Sequence, residues 1–552
     1  MDDVTIEAIK FNHDPSSADV DALTIRKNEH GEIKLPEWEA GVSSSPAAYV
    51  CAPRKGLSIA IQLRRFNQNV QSVVVNGTSE GILGNAVTAQ VYFNQGKVSD
   101  FVIIHPIKVR LSEVGVGKWK VVWEWTLTPD AGARNTLQTE HDIYTLFGPP
   151  GPPWGPDPMD PKYEHEPPWV DVLEKACEWA AGAHDVVTDA TQITTELNNL
   201  GSLEPPRLRF DQKRSFSHLK LSGTEQFVFS DFLNRLYAGA TTIVNCTDCA
   251  MLVTSFANIL GCNLFQSRMG GSRFFTNPIR LVGFAKPWPV EFDFHEVAWE
   301  YPCESNNNLY DCCLHLDGDP NPSISKNFEP LLPANIPFGD HKGKDYHFRL
   351  VQKGQNCVAL SRTKKRPKLA RDRFSLHRIH AQLKDELKNR FDFVSWEKNF
   401  PPPDAKFSEP LDTFRRGFSL SEILLSTGWR CERLRVLAGE SEVRELSESI
   451  WQLTQDAETE LRALCYLCAS VEVARDFLLS LLGEFEFPLM RLLDARAASA
   501  TFGDLAFTSP ENEVALFARA NIVVFLQNTG SNSISLSSLA LSLDSGILNA
   551  LR

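Results

Sequence analysis

Val244-Asn245-Cys246-Thr247-Asp248-Cys249-Ala250, running on to Leu260-Gly261, is the stretch from which the rest of the chain is read. Beyond Cys246 the apolar positions Cys249, Leu252, Val253, Phe256, Ala257 and Leu260 recur at spacings of three and four, which predicts a helix with one stripe facing a core. Gly261 stands where a helix C-terminal glycine would. Cys246 lies one turn before Cys249 on that stripe, so its sulfur is expected to point inward at the start of the helix. There the exposed amides and the helix dipole favour a thiolate. Asp248 opposes this slightly while stabilising the first turn. The amide of Cys246 could donate to an oxyanion, and Cys249, in the middle of the stripe, reads as core.

A second block lies downstream. Phe292-Asp293-Phe294-His295-Glu296-Val297-Ala298-Trp299 reads as a strand that ends at Tyr301-Pro302. The chain turns through Glu304-Ser305-Asn306-Asn307-Asn308 and returns as Leu309-Tyr310-Asp311-Cys312-Cys313-Leu314-His315-Leu316. Asn-rich turns between such runs signal hairpins, and in a hairpin His295 and Asp311 can be near neighbours. Taken singly, each is an ordinary structural residue. A thiol on a helix start with an imidazole and a carboxylate on paired strands is a set of parts for acyl transfer. His315 is a rival base. Asp317-Gly318-Asp319-Pro320-Asn321 reads as a turn rather than a cation loop, because most calcium-loop positions are missing.

These blocks together resemble the transglutaminase-like superfamily of papain-fold cysteine enzymes, over about residues 169 to 320. The family pattern around the nucleophile is Cys-x-Asp-x-Ala-x-Leu, with Leu-Gly about fourteen residues on; here Cys246, Asp248, Ala250 and Leu252 are followed by Leu260-Gly261. The family's histidine and acid lie about sixteen residues apart, as do His295 and Asp311. The resemblance implies Cys246 as nucleophile, His295 as base and acid, and Asp311 as the group that orients the imidazole, with no cofactor and no metal. Three departures are visible. Val244-Asn245-Cys246-Thr247 replaces the Gly-Gln-Cys-Trp of animal crosslinking enzymes, His295-Glu296-Val297 replaces His-Ala-Trp, and Asp311-Cys312-Cys313 replaces Asp-Pro-Thr. They point to a bacterial-type enzyme. Hydrolysis of a protein or peptide amide, as peptidase or amidase, is therefore favoured over amine transfer. Two other readings stand: crosslinking or deamidation of protein glutamines, including by a secreted effector, and a catalytically silent interaction scaffold.

The rest of the 552-residue chain frames this core. A net charge of −13 argues against a nucleic-acid binder, which needs a basic surface. No run approaches the ~20 apolar residues that span a bilayer. The acidic start Met1-Asp2-Asp3-Val4 has no signal-like apolar region. Twelve irregularly placed cysteines suit a reducing compartment, so a cytoplasmic location is expected, with signal-less export left open.

The expected architecture is multidomain α+β. Residues 1–147, with Leu57–Leu63, Val87–Phe93 and the alternating Trp119–Leu127, read as an antiparallel β-sandwich with Trp119, Trp123 and Trp125 in its core. The Pro-rich 148–168 reads as a stiff linker. Residues 169–350 form the papain-like transglutaminase core, with helices over Trp169–Asn199 and Phe229–Tyr237. Residues 351–374, containing Lys364-Lys365-Arg366-Pro367-Lys368, read as a solvated basic linker. Residues 375–552 read as an α+β domain, with a charged helix at Leu376–Arg390, a long helical region at Glu440–Phe485 that holds Cys465 and Cys468 in its core, and a closing strand at Val514–Phe525. The N- or C-terminal domain is available to bind a protein partner.

Overall fold

Alternation along Trp119–Leu127 puts every second side chain on one face, and in the computed structural model this becomes a strand, Gly117–Pro129, with Trp123 and Trp125 fully buried. The structure describes residues 3–14, 21–42, 44–51, 57–86, 88–94, 96–211, 217–316, 331–340, 344–370, 373–374, 420–439, 442–482, 491–492, 502–509, 511–530 and 532–550. The tryptophan strand lies at the centre of a five-stranded sheet, between Asn135–Leu146 and Ser72–Thr78. A four-stranded sheet built on Val4–Lys10 and Ile59–Arg65 covers it. Inner side chains of both sheets, among them Ile6, Ile61, Val75 and Trp123, share one core. One pair departs from the expected antiparallel pattern: Ala47–Val50 runs parallel to Ile143–Leu146. The two segments are far apart in sequence, so no tight turn dictates their relative direction.

The Pro-rich run after this sandwich is not a free linker. Proline keeps it out of helix and strand, but it packs as a strap over the end of the cysteine helix. Gly148 and Gly151 donate to the carbonyls of Leu260 and Asn258 at 3.0 and 2.8 Å, two acceptors at a helix end that need partners. Asn258 Nδ2 returns a bond to Pro152 O at 2.6 Å, and the buried Trp154 donates from Nε1 to Ser255 O at 2.8 Å. The approach is close enough to require glycine: a Cβ on Gly261, at φ +114°, would fall 2.4 Å from Gly148 N.

The helical stretch from Trp169 to Asn199 is two helices, α1 (Val170–Trp179) and α2 (Val186–Asn199). Gly182 at φ +81° breaks it, and Asp185 starts α2 by accepting from Thr188 N. Next come α3 (Phe229–Tyr237) and α4 (Cys246–Ile259). The single-stripe expectation for α4 is too narrow, because every residue from Cys246 to Ile259 is buried. It is the central helix of the fold. Against it stands a five-stranded sheet in the order 334–337, 308–310, 291–299, 265–275, 357–365. The hairpin across the Asn-rich turn is present, with Ala298 opposite Tyr310. The return strand is broken, however: Asn308–Tyr310 stays in this sheet, while Leu314–Leu316 leaves to pair with Ile279–Leu281.

Residues expected in a basic linker are also structural. Cys357–Lys365 is the edge strand of the central sheet, next to Phe265–Phe275. Arg366 is buried, bonded to Asp157 through Nε at 3.1 Å and lying over the Phe265 ring. Its charge serves an internal ion pair and not a solvated face.

The C-terminal region holds an eight-stranded sheet with apolar cores on both faces. The predicted long helix at Glu440–Phe485 is instead two strands, Val443–Leu453 and Asp456–Cys468, and a helix, Val471–Leu482. Leu461–Cys468 is buried on both sides, which gives a continuous apolar run without alternation. Such a run cannot be told from a buried helix by periodicity. Cys465 and Cys468 are therefore core residues of a strand. Val514–Arg519 and Ile522–Asn528 are two strands of a hairpin. The charged stretch Leu376–Arg390 and the turn Asp317–Asn321 lie outside the described residues.

If the strap holds α4 in place, Trp154→Ala should destabilise the protein by about 3–5 kcal/mol, the usual cost of emptying a buried tryptophan site. Denaturant unfolding would measure this. A change below about 1 kcal/mol would mean that the run is a passive connector.

Candidate active site

The start of α4 is fixed by its own sequence. Asn245 caps the helix by accepting from Asp248 N at 3.1 Å, and Asp248 Oδ2 accepts from Asn245 N at 2.9 Å, a reciprocal capping box. Cys246 is the first helical residue and is fully buried. Asp248 does more than cap. Its carboxylate also accepts from Ser217 Oγ, from His218 N at 2.9 Å and from Leu219 N at 3.0 Å, and so fastens residues 217–219 to the first turn.

His295 sits on the Glu291–Trp299 strand, the element of the central sheet packed on α4, opposite Met269 in the register. Its ring is completely buried against Phe292. Nε2 is 2.8 Å from Asp311 Oδ2. The carboxylate favours the tautomer with its proton on Nε2. That leaves Nδ1 as the basic nitrogen, and it is buried with no hydrogen-bond partner among the described residues.

Asp311 occupies the break in the return strand. Its amide donates to Pro333 O, its Oδ1 accepts from Cys313 N, and its Oδ2 accepts both from His295 and from Tyr346 Oη at 2.8 Å. Tyr346 is fully buried at the start of α5 (Tyr346–Leu350). Burial first, then the Asp311 charge, pushes its phenol well above the ordinary tyrosine range, so it remains a donor. The structure thus brings His295 and Asp311 into direct contact and places Cys246 at the end of the helix on which their sheet packs. The rival base His315 is engaged elsewhere, with Nε2 2.6 Å from Asn198 Oδ1 at the end of α2.

One nitrogen of His295, one oxygen of Asp311 and Cys313 Sγ lie within 4.8 Å of one another and, among the described residues, form the group that could hold a metal ion. Both oxygens of Asp311 are already used by donors, which is the pattern of a hydrogen-bonded dyad. Burial pushes the thiols of Cys249, Cys312 and Cys313 well above the ordinary cysteine range, which keeps them neutral.

A second buried cluster adjoins the helix start. Glu296 Oε2 accepts from Thr247 Oγ1 at 3.0 Å and from Arg268 Nε at 2.9 Å, and Lys365 Nζ lies 3.0 Å from Oε1. Burial alone would raise the Glu296 carboxyl, but the charges of Lys365 and Arg268 outweigh it and hold the group at about 2. Burial likewise works to lower Arg268. Glu296, Glu225 and the Cys246 sulfur overcome this and raise it, so a half-buried guanidinium lies within electrostatic reach of the thiol. Such a cation favours the thiolate.

Sequence reading missed Tyr346 and this cluster. No motif marks Tyr346, which reaches Asp311 only through the fold. Glu296 did carry a signal: an acid inside the apolar run Phe292–Trp299 has to be paired if that run is buried.

No family model matches the chain, and no curated protein matches it. Among solved structures it is similar to a red sea bream transglutaminase, with 9% sequence identity and a TM-score of 0.30 over 95% of this chain and 80% of that one. The likeness is distant and fixes neither family nor activity.

Glu296 is held below its unfolded value of 4.5, so its contribution to stability is present above that pH and is lost as pH falls toward about 2. Glu296→Gln should therefore cost about 1–3 kcal/mol at neutral pH, by removing the buried anion between Arg268 and Lys365, of which Lys365 keeps Glu225 as a partner. The gap from the parent should close as acid protonates the parent's carboxyl. Unfolding followed from pH 7 to 3 tests this, and a gap that does not narrow in acid would refute the assignment.

Proposed function

We propose that the protein is a transglutaminase-like thiol enzyme acting on a protein or peptide amide, with Cys246 as nucleophile, His295 as general base and acid, and Asp311 as its orienting partner. In this reading the core follows the papain-like plan, and the N-terminal sheets and the eight-stranded sheet are flanking domains that shape substrate access or bind a protein partner. The observation that carries it is the imidazole, whose Nε2 is committed to Asp311 while its buried Nδ1 has no partner among the described residues. A base in that state can take the thiol proton.

Cys246 Sγ then attacks the carbonyl carbon. The carbonyl oxygen becomes an oxyanion at the α4 N-terminus, where the Cys246 amide can donate. His295 protonates the leaving nitrogen, the C–N bond breaks, and a thioester remains. Water, deprotonated by the same imidazole, attacks the thioester and regenerates the thiol. Hydrolysis is preferred over amine transfer because Thr247 and Asn245 stand where crosslinking enzymes carry Trp and Gln.

A second reading, the silent scaffold, is favoured by one observation: Cys246 is fully buried. Labelling with iodoacetamide separates the two. As an enzyme, Cys246 labels far faster than the partly exposed Cys431, and Cys246→Ala abolishes the fast phase. His295→Ala slows it by about 10²-fold. Tyr346→Phe slows it by about tenfold, through the loss of one donor to Asp311. Cys246 reacting no faster than Cys431 would sink the enzyme and leave the scaffold.

A further inference from the structure

The polar network beside the start of α4 joins the cations Arg268, Lys365 and Lys220 to the anions Glu296 and Glu225. It holds one cation in excess, in a chain whose net charge is −13. Lys365 is spent on Glu225 and Glu296, at 3.1 and 3.0 Å, and Lys220 lies 3.8 Å from Glu225. Arg268 is the member with donors to spare. Its Nε bonds Glu296 at 2.9 Å, and its guanidinium carbon lies 3.9 Å from the centre of the Phe294 ring. Nη1 and Nη2 donate to none of the described residues, and neither is closed off from solvent. The Arg268 side chain is 21% exposed, against 0% for Glu296.

A hydrogen bond on one edge and a ring against its face hold the guanidinium plane, so the outer edge is a fixed fork of N–H donors. Such a fork matches a carboxylate bidentately, which an ammonium does not. It also stands beside the thiol. Glu296 Oε2 accepts both from Arg268 Nε and from Oγ1 of Thr247, the residue after Cys246. The Cys246 sulfur acts electrostatically on the same guanidinium. Asp248, the other acid at the helix start, is spent on four protein donors. An anionic substrate group would meet the free fork there, whereas a cationic one would meet the excess charge and the helix N-terminus.

We propose that Arg268 binds a carboxylate of the substrate through Nη1 and Nη2, so that the amide attacked by Cys246 belongs to an acidic peptide. This role rests on the reading of Cys246 as a nucleophile and adds to it the charge of the substrate.

The test compares iodoacetate with iodoacetamide, an anionic and a neutral reagent of similar size, at Cys246 of the full chain. Relative to the same rate ratio for N-acetylcysteine amide, Cys246 should favour iodoacetate by about tenfold, as expected for a hydrogen bond to a charged group. Raising sodium chloride from about 0.05 to about 0.5 M should shrink this preference. Arg268→Met combined with Glu296→Gln removes both charges together and should abolish it, with folding confirmed by thermal melting. Two peptides then separate a side-chain from a terminal carboxylate: an acetylated tripeptide amide with a central glutamate, and acetylated trialanine with a free C-terminus. One or both should protect Cys246 from iodoacetamide about tenfold better than the tripeptide amide with a central glutamine. The proposal is overturned if Cys246 shows the reference ratio, if the preference survives in the folded double variant, or if the neutral peptide protects equally well. Should the double variant unfold, a preference that salt leaves unchanged overturns it. A Cys246 that reacts no faster than Cys431 but still prefers iodoacetate would sink the thiol enzyme and leave the anion site standing.

Discussion

The carboxylate of Asp248, itself fully buried, accepts hydrogen bonds from the amides of Asn245, His218 and Leu219 and from the hydroxyl of Ser217. A buried charge of this kind is tolerable only when such donors replace its hydration. Here they define the molecule. One comes from the helix cap and three from the segment that passes over it, so one side chain fixes where α4 begins and what lies beside its first turn. Cys246 inherits its position from that bond set. The segment is held from its other side too, because the buried Arg462 of the eight-stranded sheet donates to Ser217 O and Lys220 O at 2.8 and 2.7 Å. Sheet, segment and helix start are thereby one connected polar network, in which each member satisfies the next.

Within that frame the imidazole and the thiol pose opposite demands. His295 is ordered as a base should be, with an aspartate on one nitrogen and the other nitrogen unpartnered. Cys246, at the helix start, is closed off. Three more thiols, Cys249, Cys312 and Cys313, crowd the same region, and burial keeps them neutral. What sets Cys246 apart is its location rather than its exposure: amides at a helix N-terminus and the Arg268 guanidinium act on that sulfur.

How much was legible in the sequence follows from what kind of pattern each element left. The α4 helix and the His295 strand came from short-range signals, apolar spacing, a C-terminal glycine and an Asn-rich turn, and these are local chemistry. Asp311 beside His295 followed from the hairpin that turn implied. The errors share one cause, which is that burial on both faces erases periodicity. Leu461–Cys468 carries no alternation because both of its sides are core, so it imitated a helix. The runs at 148–168 and 357–366 looked solvated for the same reason in reverse. Their prolines and cations are satisfied by partners far away in sequence, Asn258, Asp157 and Glu296. Tyr346 left no trace at all, since its role is a single hydrogen bond to a residue that only the fold brings near.

The departures from the crosslinking pattern are not scattered when they are placed in space. Thr247 stands where those enzymes have Trp, Glu296 stands where they have Ala, and Thr247 Oγ1 donates to Glu296 Oε2 at 3.0 Å. The two positions therefore belong to one polar network, completed by Arg268 and Lys365. The third departure is local in the same sense: Cys312, after the acid, directs its thiol to the carbonyl of Cys249 on α4. A helix flanked by a charged network on one strand and by small thiols on another can keep the histidine–aspartate contact while losing the aromatic surround. In the reading proposed above, the altered sequence around Cys246 weighs against amine transfer more than against thiol chemistry.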